Sequence, residues 1–219
     1  MHRILFEKVG DGVFLSHLDL IRLFQRAFCR GGLMLKHSQG FSPKPYVSVA
    51  LPLSVGTHSV CEIMDFELED GAAVPENLPE KLNRTLPEGI RVLRVYDSER
   101  KIKELTYLSA KIILEYDHGV PCGAADELKK LFDRDEIMVE KHSKNGAVET
   151  NIRPMIRELD VVSASAGELE IRCVVCAQNP ALNPMLLVTA IEKYLPQIQP
   201  DFAYCCRLDV LDEQGKTFR

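Results

Sequence analysis

The sequence predicts an α+β protein of two tandem units, each an antiparallel sheet with its helices on one face. Three observations predict it. Segments that alternate with period two and segments with helical spacing follow one another in nearly the same order twice along the chain. A charged stretch, Asp97 to Glu104, separates the two runs and reads as a linker. Composition, 46% hydrophobic and 27% charged over 219 residues, is that of a folded globular chain large enough for one big core or two smaller ones. The expected units are residues 1–100 and 107–219.

In the first unit, Arg3 to Val9 alternates loosely and predicts a strand, ended by the turn Gly10-Asp11-Gly12. Ser16-His17-Leu18-Asp19 has the form of a capping box and opens a helix, with Asp19 well placed at its positive end. Leu20, Ile21, Phe24, Ala27 and Phe28 recur at helical spacing, and Gly31-Gly32 stops the helix. A loop of turn residues runs from His37 to Pro45, and the apolar segment Tyr46 to Leu53 predicts a strand. Cys61 to Glu69 alternates, with Glu62, Met64, Phe66 and Leu68 expected to form its apolar face. Pro75 to Leu86 predicts a short helix and Ile90 to Tyr96 a strand. The order β-α-β-β-α-β is the ferredoxin-like split βαβ plan.

The second unit restarts with a strand at Ala110 to Tyr116 and a helix at Ala124 to Arg134, its Leu128, Leu131 and Phe132 turned inward. Glu136 to His142 and Val148 to Met155 predict a hairpin turning through Lys144-Asn145-Gly146. Glu158 to Val162 continues the second of those strands beyond a bend at Pro154. A strand at Glu168 to Ala177, a helix at Asn183 to Tyr194 and a closing strand at Phe202 to Leu211 complete a second ferredoxin-like unit with one extra strand.

The net charge of −5 conceals an asymmetry. Residues 1–60 carry seven Lys/Arg against three acids, while the other 159 carry twenty against twenty-nine. A basic start on an acidic chain points to a local site for an anion. Arg22, Arg26 and Arg30, spaced i, i+4, i+8, line one stripe of the first helix, with Asp19 a turn ahead of Arg22. Their guanidinium forks suit phosphate; the alternative is a solvated helix face. The adjoining loop offers Ser38, Gly40 for close backbone approach, Phe41 as a surface for a stacked base, and Lys44 held between Pro43 and Pro45. Packing of Phe41 into the core is the competing reading.

His17 and His37 raise an enzymatic alternative, acid and base for metal-independent RNA cleavage. Seven cysteines, an odd number at irregular spacing, read as thiols of a reducing cytoplasm. Cys173-Val174-Val175-Cys176 has metal-ligand spacing, but on a strand an offset of three points the thiols to opposite faces, so no metal or cofactor is expected. HExxH, P-loop, GxGxxG, GxSxG and CxxxCxxC motifs are absent. The longest largely apolar run, about Tyr46 to Val55, is too short to span a bilayer, and charge near Met1 comes too early for a signal peptide.

Phe14-Leu15-Ser16-His17-Leu18-Asp19-Leu20, Arg22, Arg26-Ala27, Ser38-Gln39-Gly40-Phe41-Ser42-Pro43, Pro45 and Leu51-Pro52-Leu53-Ser54-Val55-Gly56 resemble the radical SAM-linked protein family. That resemblance implies a stand-alone domain working with a separate radical SAM protein, not an activity of its own. Arg153-Pro154 resembles a recurrent Arg-Pro of that family's second half, which adds Arg153 to the candidate site. Lys44 stands where the family often has His or Arg, so charge is kept and a proton-transfer role is not. More distantly, the plan resembles ferredoxin-like RNA-handling proteins of CRISPR systems. The expectation is therefore a non-catalytic accessory module holding a phosphate-bearing ligand, RNA above all. A protein–protein scaffold is the other alternative.

Overall fold

A computed structural model describes residues 1–39, 41–69, 73–143, 146–163 and 165–219. The chain divides into two compact units, Met1–Ile102 with Arg219, and Lys103–Phe218. Both are mixed α and β with antiparallel strands, and four α-helices are found among the described residues.

The first unit begins with β1 (His2–Lys8), then α1 (His17–Arg30), β2 (Val47–Val49), β3 (His58–Phe66), α2 (Leu78–Asn83) and β4 (Ile90–Asp97). The strands run β4-β1-β3-β2, every pair antiparallel. Leu20, Phe24, Ala27 and Phe28 of α1 pack with Leu78 and Leu82 of α2 onto Ile4, Phe6, Met64, Phe66, Ile90 and Val92 of the sheet. Rings of Phe6 and Phe24 meet edge to face at 4.9 Å. Pro79 falls in the first turn of α2, where its missing N–H leaves no helical bond unmade.

Two expectations for this unit change. The strand expected over Tyr46 to Leu53 is only three residues long. Pro52 has no N–H to give a ladder, and just beyond the three residues Ala50 N donates to Ile63 O at 2.9 Å. The strand expected from Cys61 starts earlier, at His58, and is buried on both faces instead of one: Cys61, Ile63 and Asp65 are as inaccessible as Met64 and Phe66.

Asp65 is buried because it has a partner. Arg3 Nε donates to its Oδ1 at 2.6 Å and Arg3 Nη2 to its Oδ2 at 3.1 Å, a two-pronged pair across β1 and β3. Arg3 also donates to Ser98 Oγ and to the carbonyl of Arg100, which pins the segment after β4. Below the start of β4, Gly89 takes φ +85, and a Cβ there would meet Val9 O at 2.3 Å. That contact lets Val9 N bond Gly89 O and seats the link between β1 and α1.

The second unit comprises β5 (Leu105–Glu115), α3 (Ala124–Phe132), β6 (Met138–Ser143), β7 (Gly146–Asn151), β8 (Ile156–Ser163), β9 (Glu168–Cys176), α4 (Met185–Tyr194) and β10 (Phe202–Asp212). Its sheet runs β10-β5-β9-β8, again antiparallel throughout, while β6 and β7 pair only with each other. The expected single extra strand is thus an inserted two-stranded hairpin. Arg153-Pro154-Met155 forms a 3-10 turn that ends β7 and starts β8 afresh, so the two do not continue one another. Lys144 and Asn145 of the expected turn lie outside the described residues. Numbering only the sheet strands of each unit in chain order, both read 4-1-3-2.

Candidate functional site in the first unit

Residues that recur in the sequence argument gather around the exposed side of α1. Ser16 is its N-cap: Oγ accepts from Asp19 N at 3.2 Å and donates to Asp19 Oδ2 at 2.7 Å. That hydrogen bond, with Arg22 Nη1 3.2 Å from Asp19 Oδ1, holds the Asp19 carboxyl below its usual range. The entry to the helix is fixed from beneath. Lys8, 1% exposed, donates from Nζ to Val13 O at 3.0 Å and Leu15 O at 2.9 Å, the carbonyls that end the 3-10 turn before α1.

Beyond α1 the chain folds back on itself. Tyr46 N donates to Lys36 O, Ser38 N to Lys44 O, and Lys44 N to Ser38 Oγ at 3.1 Å. Gln25 Nε2 donates to Pro45 O at 2.7 Å and ties this fold to the helix. The result is a groove of about 470 Å³. Leu18, Ile21, Arg22 and Gln25 form one wall; Ser38, Lys44, Pro45, Tyr46 and Val47 form the other. A second depression of about 350 Å³ lies across Ser38 and Tyr46, which border both, and adds Lys36, His37, Gln39 and Glu67. Lys36 is paired with Glu67 at 3.0 Å.

The structure therefore brings Arg22, Ser38 and Lys44 to one groove. It does not bring Arg26 or Arg30, which are exposed elsewhere on α1. The reason is geometric. Each step of four residues turns a helix by about 40° beyond a full circle, so the arginine stripe drifts away from the side on which Leu18, Ile21 and Gln25 face the loop. Phe41 is fully exposed instead of packed, and Phe14 and Leu18 are exposed near the start of α1. Gly40 lies outside the described residues.

The two histidines do not meet in either depression. His37 borders the smaller depression; His17, at the first position of α1, borders neither, and its Nδ1 is buried with no hydrogen-bond partner among the described residues. Arg153 belongs to the second unit, where it lines a cavity of its own. Among the described residues no three His, Cys, Asp or Glu side chains cluster as metal ligands. Cys173 and Cys205 are buried in the second unit, and burial pushes both thiols up to about 12. No helix among the described residues is long and apolar enough to cross a membrane.

Gln25 and Tyr46 were not expected at the site. Gln25 stands one turn after Ile21 on the groove side of the helix, a polar residue at an otherwise apolar spacing, and that is its only signal in the sequence.

Comparison with known proteins gives a fold and a family. No curated protein matches the sequence. Among solved structures, a chain of the "Crystal Structure of a Cbf5-Nop10-Gar1 Complex" aligns with 95% of this chain at 10% identity and a TM-score of 0.53. A chain of the "Crystal structure of the archaeal box H/ACA sRNP Nop10-Cbf5 complex" aligns with 94% at 9% identity and a TM-score of 0.47. The alignments cover only 48% and 46% of those chains, so this protein spans about half their length, and the first likeness concerns fold alone. A family model matches residues 2–184, across both units, and the chain belongs to the family described as "Uncharacterized protein conserved in bacteria (DUF2344)".

Proposed function

We propose that this protein is a non-catalytic binding module whose first unit holds a phosphate-bearing ligand, single-stranded RNA above all, for a separate radical SAM enzyme. One observation carries the reading: Arg22 and Lys44, from different elements, stand on opposite walls of a single groove that Leu18, Ile21 and Tyr46 also line. Cations beside exposed apolar and aromatic surface are what a strand with a charged backbone and stackable bases requires. The neighbouring depression shares Ser38 and Tyr46, which extends the track, and exposed Phe41 supplies a further stacking surface. The radical SAM partnership rests on the resemblance of residues 14–56.

Both units are read as ferredoxin-like, the second with a hairpin inserted; the shared 4-1-3-2 strand order supports this. The cytoplasmic reading rests on the odd number and irregular spacing of the seven cysteines.

The test is fluorescence anisotropy with a labelled single-stranded RNA of roughly 12 nucleotides, titrated at several salt concentrations. Binding is expected to weaken with salt. Arg22→Ala and Lys44→Ala should each lower the log–log salt slope by roughly 0.7, while Arg30→Ala should leave it closer to the wild-type value. Absent binding, or binding indifferent to salt and to both substitutions, would refute the reading.

A further inference from the structure

We propose that the second unit carries its own site for a monoprotonated phosphate group, in the cavity between the end of α3 and the start of β8. The cavity measures about 280 Å³, near the lower bound for small-molecule sites, which leaves room for a phosphate group and part of the molecule that carries it. Three cations line it from different elements: Lys129 from α3, Arg153 from the 3-10 turn and Arg157 from β8.

The two arginines are held in place before any ligand arrives. Asn151 Oδ1 accepts from Arg153 N at 3.1 Å and sets the turn, and Arg153 Nη1 donates to Ile156 O at 3.2 Å. That bond uses one guanidinium donor and leaves the others for a ligand. The Arg157 guanidinium lies 4.6 Å over the Tyr107 ring and donates from Nη1 to Glu213 O at 3.4 Å. Fixed forks lose little freedom on binding, and a phosphate accepts from two of them at once.

Two carboxylates, Asp133 and Asp160, line the same cavity, and they decide which anion fits. Asp160 stands opposite Arg172 in the β8–β9 ladder, and the Arg172 guanidinium, although bonded to Glu170, also feels its charge. Asp133 is exposed at the C-cap of α3, one turn after Lys129, and brings a second carboxylate to the cavity. Sulfate has no proton at neutral pH and is repelled by it. Hydrogen phosphate, or the monoanion of a phosphate monoester, with its pKa near 6, carries an O–H that Asp133 can accept.

The proposal does not depend on the groove of the first unit. Its test is titration calorimetry of the full chain with inorganic phosphate, an alkyl phosphate monoester and sulfate, at matched ionic strength near pH 6. Inorganic phosphate, the monoester or both should bind, and which of them binds identifies the source of the group. Sulfate should bind at least roughly tenfold more weakly. Arg153→Gln and Lys129→Gln should each weaken phosphate binding by roughly tenfold or more, and Asp133→Asn should let sulfate bind as well as phosphate. Lys44→Ala should change nothing. Equal affinity for sulfate and phosphate in the wild type, no binding of either phosphate probe, or a folded Arg153→Gln variant that binds like wild type would overturn it.

Discussion

The two units share a strand order and differ in what they bury. Among the described residues, all six buried polar or charged side chains, Arg3, Lys8, Thr57, Ser59, Glu62 and Asp65, belong to the first unit. The second buries aliphatic and aromatic side chains and the thiols of Cys173 and Cys205. Burying charge is costly unless geometry and hydrogen bonding are both satisfied. The first unit therefore spends stability on groups that fix orientation. Arg3 fixes the registry of β1, β3 and the segment after β4, and Lys8 fixes the angle at which α1 enters. The groove stands on α1, so the unit with the ionic interior is also the one that carries the groove.

The largest effect should come from breaking that interior. Arg3→Ala leaves the Asp65 carboxylate buried and unpaired and should cost about 3–5 kcal/mol in urea unfolding, followed by tyrosine fluorescence because the chain has no Trp. Replacing both partners, Arg3→Met with Asp65→Leu, should cost less than the single change, since no charge is stranded. A loss under about 1 kcal/mol for Arg3→Ala would erase the distinction drawn between the units.

In the second unit the same logic runs through thiols. Cys205→Ser puts a hydroxyl at a 1% exposed position in a unit that buries mainly apolar side chains and should cost about 1–3 kcal/mol. Burial raises the Cys173 and Cys205 thiols from 9.0 to about 12, so the folded chain keeps these protons after the unfolded chain has lost them. Stability is then unaffected by these groups below pH 9 and falls between pH 9 and about 12. Each thiol contributes about 1.4 kcal/mol per pH unit in that window. A Cys173→Ala, Cys205→Ala variant should show a shallower alkaline slope than wild type.

Local chemistry made much of this legible in the sequence. Ser16, Asp19 and the spacing of Leu20, Phe24, Ala27 and Phe28 specify α1 with its cap and its buried side, because both are decided within a few residues. What was not legible depends on partners distant in the chain. Asp65 reads as a solvated acid until Arg3, 62 residues earlier, is placed opposite it, although Cys61 and Ile63 on the same face were a signal that the face is buried. At the groove, Arg22, Ser38 and Lys44 stand out by type and position. Gln25 and Tyr46 do not, because their role comes from a hydrogen bond to Pro45 O and from the fold of the 36–46 segment. The arginine stripe misled because i+4 spacing describes neighbours on a helix surface, not residues facing a fixed direction over about two turns.

The smallest effect separates the helix starts. α1 has a side-chain cap in Ser16, whereas α3 starts after Gly123 at φ +77 with no side-chain cap. Ser16→Ala should cost about 1 kcal/mol at neutral pH. Part of the cap is the bond from Ser16 Oγ to the Asp19 carboxylate, which lowers the Asp19 pKa from 3.8 in the folded state. A group depressed on folding stabilises the fold above its unfolded value and loses that contribution as pH falls through the folded one. The gap between Ser16→Ala and wild type should therefore be widest above pH 3.8 and narrow below it to the share of the Asp19 backbone N–H bond, as read from urea midpoints at pH 7 and at pH 3 or lower. If the gap is the same at both ends, the cap acts only through the Asp19 backbone N–H. The carboxylate then has no part in setting the wall of the groove on which Arg22 stands.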